Sequence, residues 1–244
     1  MPSSTYNNGG WSVSDIQNTT LFADLNHRFN EDWKLKVALT NMRENNWETT
    51  GAAYGTINPT TLRGGMISAF DQHLVGEQTA MDANLNGSFE AWGRKHDVLL
   101  GATYQDWTYD NDSQAYAAFA YDPFTYDPRN YQVKPTATSR PASSTTLERS
   151  QMGLYGSFRL AVADRTKLLF GGRASQWDTS TLNRVTGAVS SEYKQSTVFT
   201  PFGALTYDLT PTWTTYASYA EIFRSQADRF TATGDRLVPV TGSN

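Results

Sequence analysis

Leu21-Phe22-Ala23-Asp24-Leu25-Asn26-His27-Arg28-Phe29, then Asn30-Glu31-Asp32, then Trp33-Lys34-Leu35-Lys36-Val37-Ala38-Leu39-Thr40: this stretch of the 244-residue chain decides the fold class. The odd positions are mostly apolar, whereas Asp24, Asn26, Arg28, Lys34, Lys36 and Thr40 hold even ones. Neighbouring side chains on an extended backbone point to opposite faces. Period-two alternation over this length therefore reads as two strands, each with one apolar and one polar face. The short polar link reads as a hairpin turn.

The same unit recurs three times. Met81, Ala83, Leu85 and Phe89 oppose Asp82, Asn84, Asn86 and Glu90 before Trp92-Gly93-Arg94-Lys95 turns the chain into Val98 to Tyr109. Met152, Leu154, Phe158 and Leu160 oppose Gln151, Tyr155, Ser157 and Arg159, and Ala163-Asp164-Arg165 turns into Lys167 to Trp177. Phe199 to Leu209 leads through Thr210-Pro211-Thr212 into Trp213 to Phe223. Eight strands in four hairpins result. Phe29, Phe89, Phe158 and Tyr207 precede the four turns at unequal spacings, which a solenoid of fixed period would not show.

Between the hairpins lie long polar stretches, residues 45–78, 110–146 and 178–192, rich in Thr, Ser, Asn, Gly, Asp and Pro. Compact soluble domains rarely use structureless links beyond about 12–15 residues. Short turns on one side and long loops on the other are the pattern of bacterial outer-membrane barrels. Strands near 10 residues suit a tilted crossing of about 9–11 residues. The prediction is an all-β, antiparallel transmembrane barrel to which this chain contributes about eight meandering strands. One face of each strand would meet outer-membrane lipid, and Phe29, Trp33, Phe89, Trp92, Tyr207 and Trp213 would form an aromatic girdle beside the short turns. The competing expectation is a soluble β-sandwich or adhesin-like module, which explains the alternation equally well.

Composition narrows the function classes. The 13 Tyr, 12 Phe, 7 Trp and 31 Thr favour a pleated, half-buried surface and argue against disorder. A net charge of -4 with no basic stripe lacks the footprint of a nucleic-acid binder. Absence of Cys removes disulfides, Fe–S clusters and thiolate zinc sites. No apolar run reaches the length of a transmembrane helix. Met1-Pro2-Ser3-Ser4-Thr5 has no basic n-region and no apolar h-region, as expected of a mature or front-truncated chain.

Leu168-Leu169-Phe170-Gly171-Gly172-Arg173-Ala174-Ser175-Gln176-Trp177 resembles the Leu-Leu-Gly-Gly-Arg strand of TonB-dependent ferric-siderophore receptors. So do Thr200-Pro201-Phe202-Gly203-Ala204-Leu205-Thr206-Tyr207-Asp208-Leu209 and Tyr216-Ala217-Ser218-Tyr219-Ala220-Glu221-Ile222-Phe223-Arg224-Ser225-Gln226, with Ser225 where that family usually has Pro. Gly93-Arg94 with His96, followed by Leu99-Leu100-Gly101, resembles another hairpin of the family. The resemblance is to the ferric-pyoverdine and ferric-coprogen type. It implies that residues 1–244 are part of a 22-stranded barrel around a plug, without the plug, the TonB box or the C-terminal strands. It further implies the outer membrane of a Gram-negative bacterium, a ferric siderophore as ligand, and TonB as a partner reached through the absent plug. Two exposed edges in such a piece predict aggregation outside detergent. Receptors for haem, cobalamin or an oligosaccharide share the architecture and stay open as alternatives.

Nothing in the sequence points to catalysis. His27, His73 and His96 are scattered, and no Gly-x-Ser-x-Gly, Walker A or Rossmann pattern occurs. Asp106, Asp110 and Asp112 around Asn111 suggest an oxygen-rich cation site but lack the central Gly and terminal Glu of an EF-hand. The loop from Tyr116 to Tyr131 carries a tandem Tyr-Asp-Pro. Tyr116, Tyr121, Phe124, Tyr126 and Tyr131, with Trp107 and Tyr109 below them, form a candidate ligand-binding platform. Tyr and Trp offer flat siderophore groups a large contact area at little rotamer cost. Arg159 and Arg173 fall on polar faces, where they would bind an anionic chelate or pair with plug carboxylates. No cofactor is expected, because iron arrives already chelated.

Overall fold

The computed structural model describes residues 10–122, 127, 134–139, 141–226, 231–233 and 240–243. They form one antiparallel sheet of β1 (Val13–Arg28), β2 (Trp33–Tyr54), β3 (Gly65–Ala91), β4 (Arg94–Ala115), β5 (Phe119–Tyr121), β6 (Ser143–Ala163), β7 (Thr166–Asn183), β8 (Ala188–Thr210), β9 (Trp213–Arg224) and β10 (Val240–Ser243). The order is β1-β2-β3-β4-β6-β7-β8-β9-β10, with β5 pairing the tip of β3 beyond the end of β4. Among the described residues the first and last strands do not pair, so the sheet is an open wall.

The eight strands expected from alternation are all present, and their short turns stand where the polar links predicted. Asn30 builds the first turn by accepting hydrogen bonds from the Asp32 and Trp33 amides on Oδ1, at 2.9 and 2.8 Å. Trp92 and Gly93 both have positive φ, 52° and 71°, the backbone of a type I′ hairpin whose twist matches its strands.

Register turns the alternation into two continuous faces. Leu39 sits opposite Met81, Met81 opposite Tyr104, and Tyr104 opposite Met152. One rung nearer the turns run Val37, Ala83, Ala102 and Leu154. This apolar face is open: Leu25 is 59%, Leu154 67% and Phe199 61% exposed. No second layer covers it among the described residues, which removes the β-sandwich. Lipid is the environment that would cover such a face, and the hydrogen-bond ladder behind it pairs the backbone of every strand between the two edges. Trp33 lies on the same side, flat over Gly87 directly across the ladder, where any Cβ would enter its ring.

The strands differ from expectation in length. Stretches expected as loops, residues 45–54, 65–78, 110–115, 143–146, 178–183 and 188–192, are paired strand, and the long strands run 12 to 27 residues. Only the ten or so residues nearest each short turn are needed to cross a bilayer; the remainder rises above it. There both faces meet water, so the ladder continues while the apolar signal stops. A small core lies at the tips. Ile67, Ala69 and Ala115 are buried where β5 and the chain after β4 fold over β3, tied by Ser68 Oγ to the Tyr116 carbonyl at 2.9 Å and by the Ala117 amide to the Ala137 carbonyl.

Candidate functional site

The face opposite the lipid side is polar and packed. Tyr155 of β6 leans over Gly101 of β4, where a Cβ would strike its ring, and its hydroxyl donates to Asp82 Oδ2 at 2.9 Å. Arg173 of β7 crosses Gly153, where a Cβ would come within 2.5 Å of Nη2. Its Nη2 donates to Thr103 Oγ1 at 2.6 Å and its Nε to Ser175 Oγ at 2.8 Å. Gly101, directly across the ladder from Tyr155, and Gly153, diagonal to Arg173, thus make room for these two large polar side chains. Lower down, near the short turns, Arg159 pairs with Asp97 at 2.5 Å, while Lys95 pairs with Asp32 at 2.7 Å.

Above Arg173 the wall becomes aromatic. Trp107 sits opposite Arg149 and Gln151 opposite Trp177, so Arg149 lies between two indoles. Its guanidinium carbon is 5.2 Å from the Trp107 ring and 5.5 Å from the Trp177 ring, within cation–π range of both. Tyr109 stands 5.4 Å from Trp107, and both rings close over Gly76. Arg149 Nε and Trp177 Nε1 are buried with no hydrogen-bond partner. Such orphaned donors are costly unless a further group meets them. Arg149, Gln151, Arg173, Trp177 and Thr200 line a recess of about 570 Å³. The surface offers flat rings flanked by two guanidinium groups, neither paired to a carboxylate in the described hydrogen bonds.

Residues 2–244 match the family described as TonB dependent receptor-like, beta-barrel. The chain belongs to this TonB-dependent receptor β-barrel family. Among curated relatives, the ferric-pyoverdine M114 receptor PbuA of Pseudomonas sp. (strain M114) is 30% identical across 99% of this chain and 30% of its own length. The ferripyoverdine receptor of Pseudomonas aeruginosa is 30% identical across 99% of this chain and 29% of its own length. Its solved structure with ferripyoverdine superposes with a TM-score of 0.77 at 25% identity, over 97% of this chain and 31% of that one. The alcaligin outer membrane receptor FauA of Bordetella pertussis superposes with a TM-score of 0.65 at 30% identity, over 97% and 34%. The chain spans about 30% of the length of the curated relatives it matches. A TonB-dependent receptor barrel is an outer-membrane structure, so the exposed apolar face is the lipid face and the polar face lines the lumen.

Within this receptor wall the predicted platform divides. Trp107 and Tyr109 come together in the lumen. Tyr116 does not join them: it lies with Asp71 on the outward side, its hydroxyl donating to Asp71 Oδ2 at 2.6 Å and Lys134 Nζ standing 4.4 Å over its ring. Tyr121 pairs its backbone with Gly65, and nothing is described of its side chain. Phe124, Tyr126 and Tyr131 lie outside the described residues. Asp106, Asp110 and Asp112 all point outward. Arg184 lies 3.7 Å from Asp110 and 2.7 Å from Asp112, and no group able to hold a metal ion occurs among the described residues. Arg149 and Trp177 were absent from the sequence-based candidates. Counting rungs outward from the Asp164–Arg165 turn places Gln151 opposite Trp177, to within the bulge between Ala161 and Ala163, and that count was the signal available.

Proposed function

We propose that this chain forms part of the wall of a receptor for TonB-dependent uptake of a ferric siderophore, and that its lumen patch of Trp107, Tyr109, Arg149 and Trp177 contacts the ligand. The observation carrying this reading is the guanidinium held between two indoles with its Nε unpartnered. Membership of the family, and relatives named for ferric pyoverdine, support it. Flat, electron-rich chelating groups stack on indole, and an anionic ferric chelate meets Arg149 and Arg173 without the competition of a bonded carboxylate. Iron enters already chelated, so the wall supplies contacts and shape rather than metal ligands or catalysis. Coupling to TonB would belong to a plug domain, distinct from the barrel that residues 2–244 match. A receptor for haem, cobalamin or an oligosaccharide has no observation of its own in its favour.

The test uses the full-length receptor in detergent, titrated with ferric pyoverdine and with a ferric hydroxamate while tryptophan quenching is recorded. Trp107→Ala and Arg149→Ala should each weaken binding of a ferric siderophore about tenfold or more, the size expected for an anchoring aromatic or Arg. Unchanged affinity in both variants, or no quenching by any iron chelate, contradicts the assignment.

A further inference from the structure

A second aromatic site lies on the other side of the wall, facing away from the lumen. Trp47 of β2 and His73 of β3 are direct partners on the ladder, and their rings stack at 3.6 Å with 12° between planes. The His73 Nε2–H donates to Asn45 Oδ1 at 2.9 Å, which fixes the lower ring. Trp47 nevertheless leaves 54% of its surface open. The pair floors a recess of about 510 Å³ with Thr49, Asp71, Asp112 and Gln114 on its rim. Those carboxylates are held in place: Thr49 donates to Asp71 Oδ1 at 2.8 Å, and Ser144 donates to Asp112 Oδ1 at 2.6 Å.

Height identifies what this face meets. Trp47, His73, Asp71 and Asp112 share the outward parity of Leu39, Met81 and Tyr104. His73 stands eight residues beyond Met81 on β3. At about 3.3 Å per residue and a tilt near 40°, that is about 20 Å above the apolar band. Acyl chains do not reach so far. In an outer membrane, the long-strand side faces outside, where the outer leaflet is glycolipid and sugars extend beyond its phosphates. A ring presented edge-free to the surroundings suits the C–H face of a pyranose, and immobilised carboxylates and amides suit its hydroxyls. Lys134, 2.5 Å from Asp71, and Arg184, 2.7 Å from Asp112, offset the two carboxylate charges, so the rim presents fixed hydrogen-bonding groups of little net charge, which suits sugar hydroxyls.

We propose that the outward Trp47–His73 face binds the core oligosaccharide of the outer-leaflet glycolipid surrounding the barrel. The site is independent of the transported ligand, since the wall separates it from the lumen patch.

The test is equilibrium binding of the full-length, delipidated receptor to lipopolysaccharide carrying its core, compared with lipid A that lacks one. The native receptor should prefer the core-bearing form about tenfold, the effect of one anchoring aromatic. Trp47→Ala should remove that preference, Trp47→Phe should keep most of it, and ferric siderophore affinity should be the same in all three proteins. Released core oligosaccharide should compete with the core-bearing lipid. Equal binding of both lipids by the native receptor, a preference that survives Trp47→Ala, or failure of the released oligosaccharide to compete would overturn the proposal.

Discussion

Asp71 shows how one side chain fixes a loop. Burial pushes its carboxyl up, but hydrogen bonds from Lys134, Tyr116 and Thr49 outweigh this and leave it below its ordinary 3.8. Burial likewise opposes charge on Lys134, and its bonds to Asp71 and Tyr116 hold its amine above 10.5. A lowered acid stabilises the fold above its ordinary value and stops doing so as pH falls through the lowered one. A raised amine does the reverse at the alkaline end. The clamp should therefore hold from about pH 4 to about pH 10. A nitroxide at Ser139→Cys in the full-length receptor should show constant, restricted mobility from pH 5 to 9, and more mobility below pH 4. Asp71→Asn should show the mobile spectrum throughout; a spectrum identical to the native one at pH 7 would contradict the clamp. The same residues show what sequence could and could not deliver. Trp107 and Tyr109 are odd and Tyr116 even, so counting along a straight strand already separates them. Arg149 and Trp177 join Trp107 only through cross-strand register, which no single stretch of sequence displays.

At the scale of the strand, alternation was legible where water and lipid differ across the sheet and silent where they do not. Leu99 to Asp106 has a strict rhythm of half-buried lumen positions and exposed outward ones. Beyond Asp106 polar residues occupy both faces, so Asp110 to Ala115 reads as loop although each residue is paired with β3. Hydrogen bonds carry these extensions, and side-chain hydrophobicity cannot report them. The lipid face makes a sharp claim. Leu100→Lys points a charge into hydrocarbon and should cost about 2–4 kcal/mol, whereas Gln105→Lys faces the lumen and should cost about 0–1 kcal/mol. Urea unfolding of the full-length receptor from lipid vesicles measures the difference; equal costs would mean the two faces share one environment.

At the scale of the whole molecule, the chain is a one-layer wall whose stability comes from its ladder and its surroundings more than from a core of its own. Among the described residues few apolar side chains are buried, and those at the tips belong to the extracellular crown. The wall separates two aromatic surfaces, for which we propose different partners, a ferric chelate within and glycolipid without, and both proposals stand on the same assignment of faces. That assignment is tested most directly by nitroxide labels placed singly at Leu99, Gly101, Thr103, Leu100, Ala102 and Tyr104 of the full-length receptor in vesicles. Relaxation by oxygen, which concentrates in lipid, should be strong at the three even positions and weak at the three odd ones. Loss of that alternation, or its appearance in the opposite phase, would contradict the account.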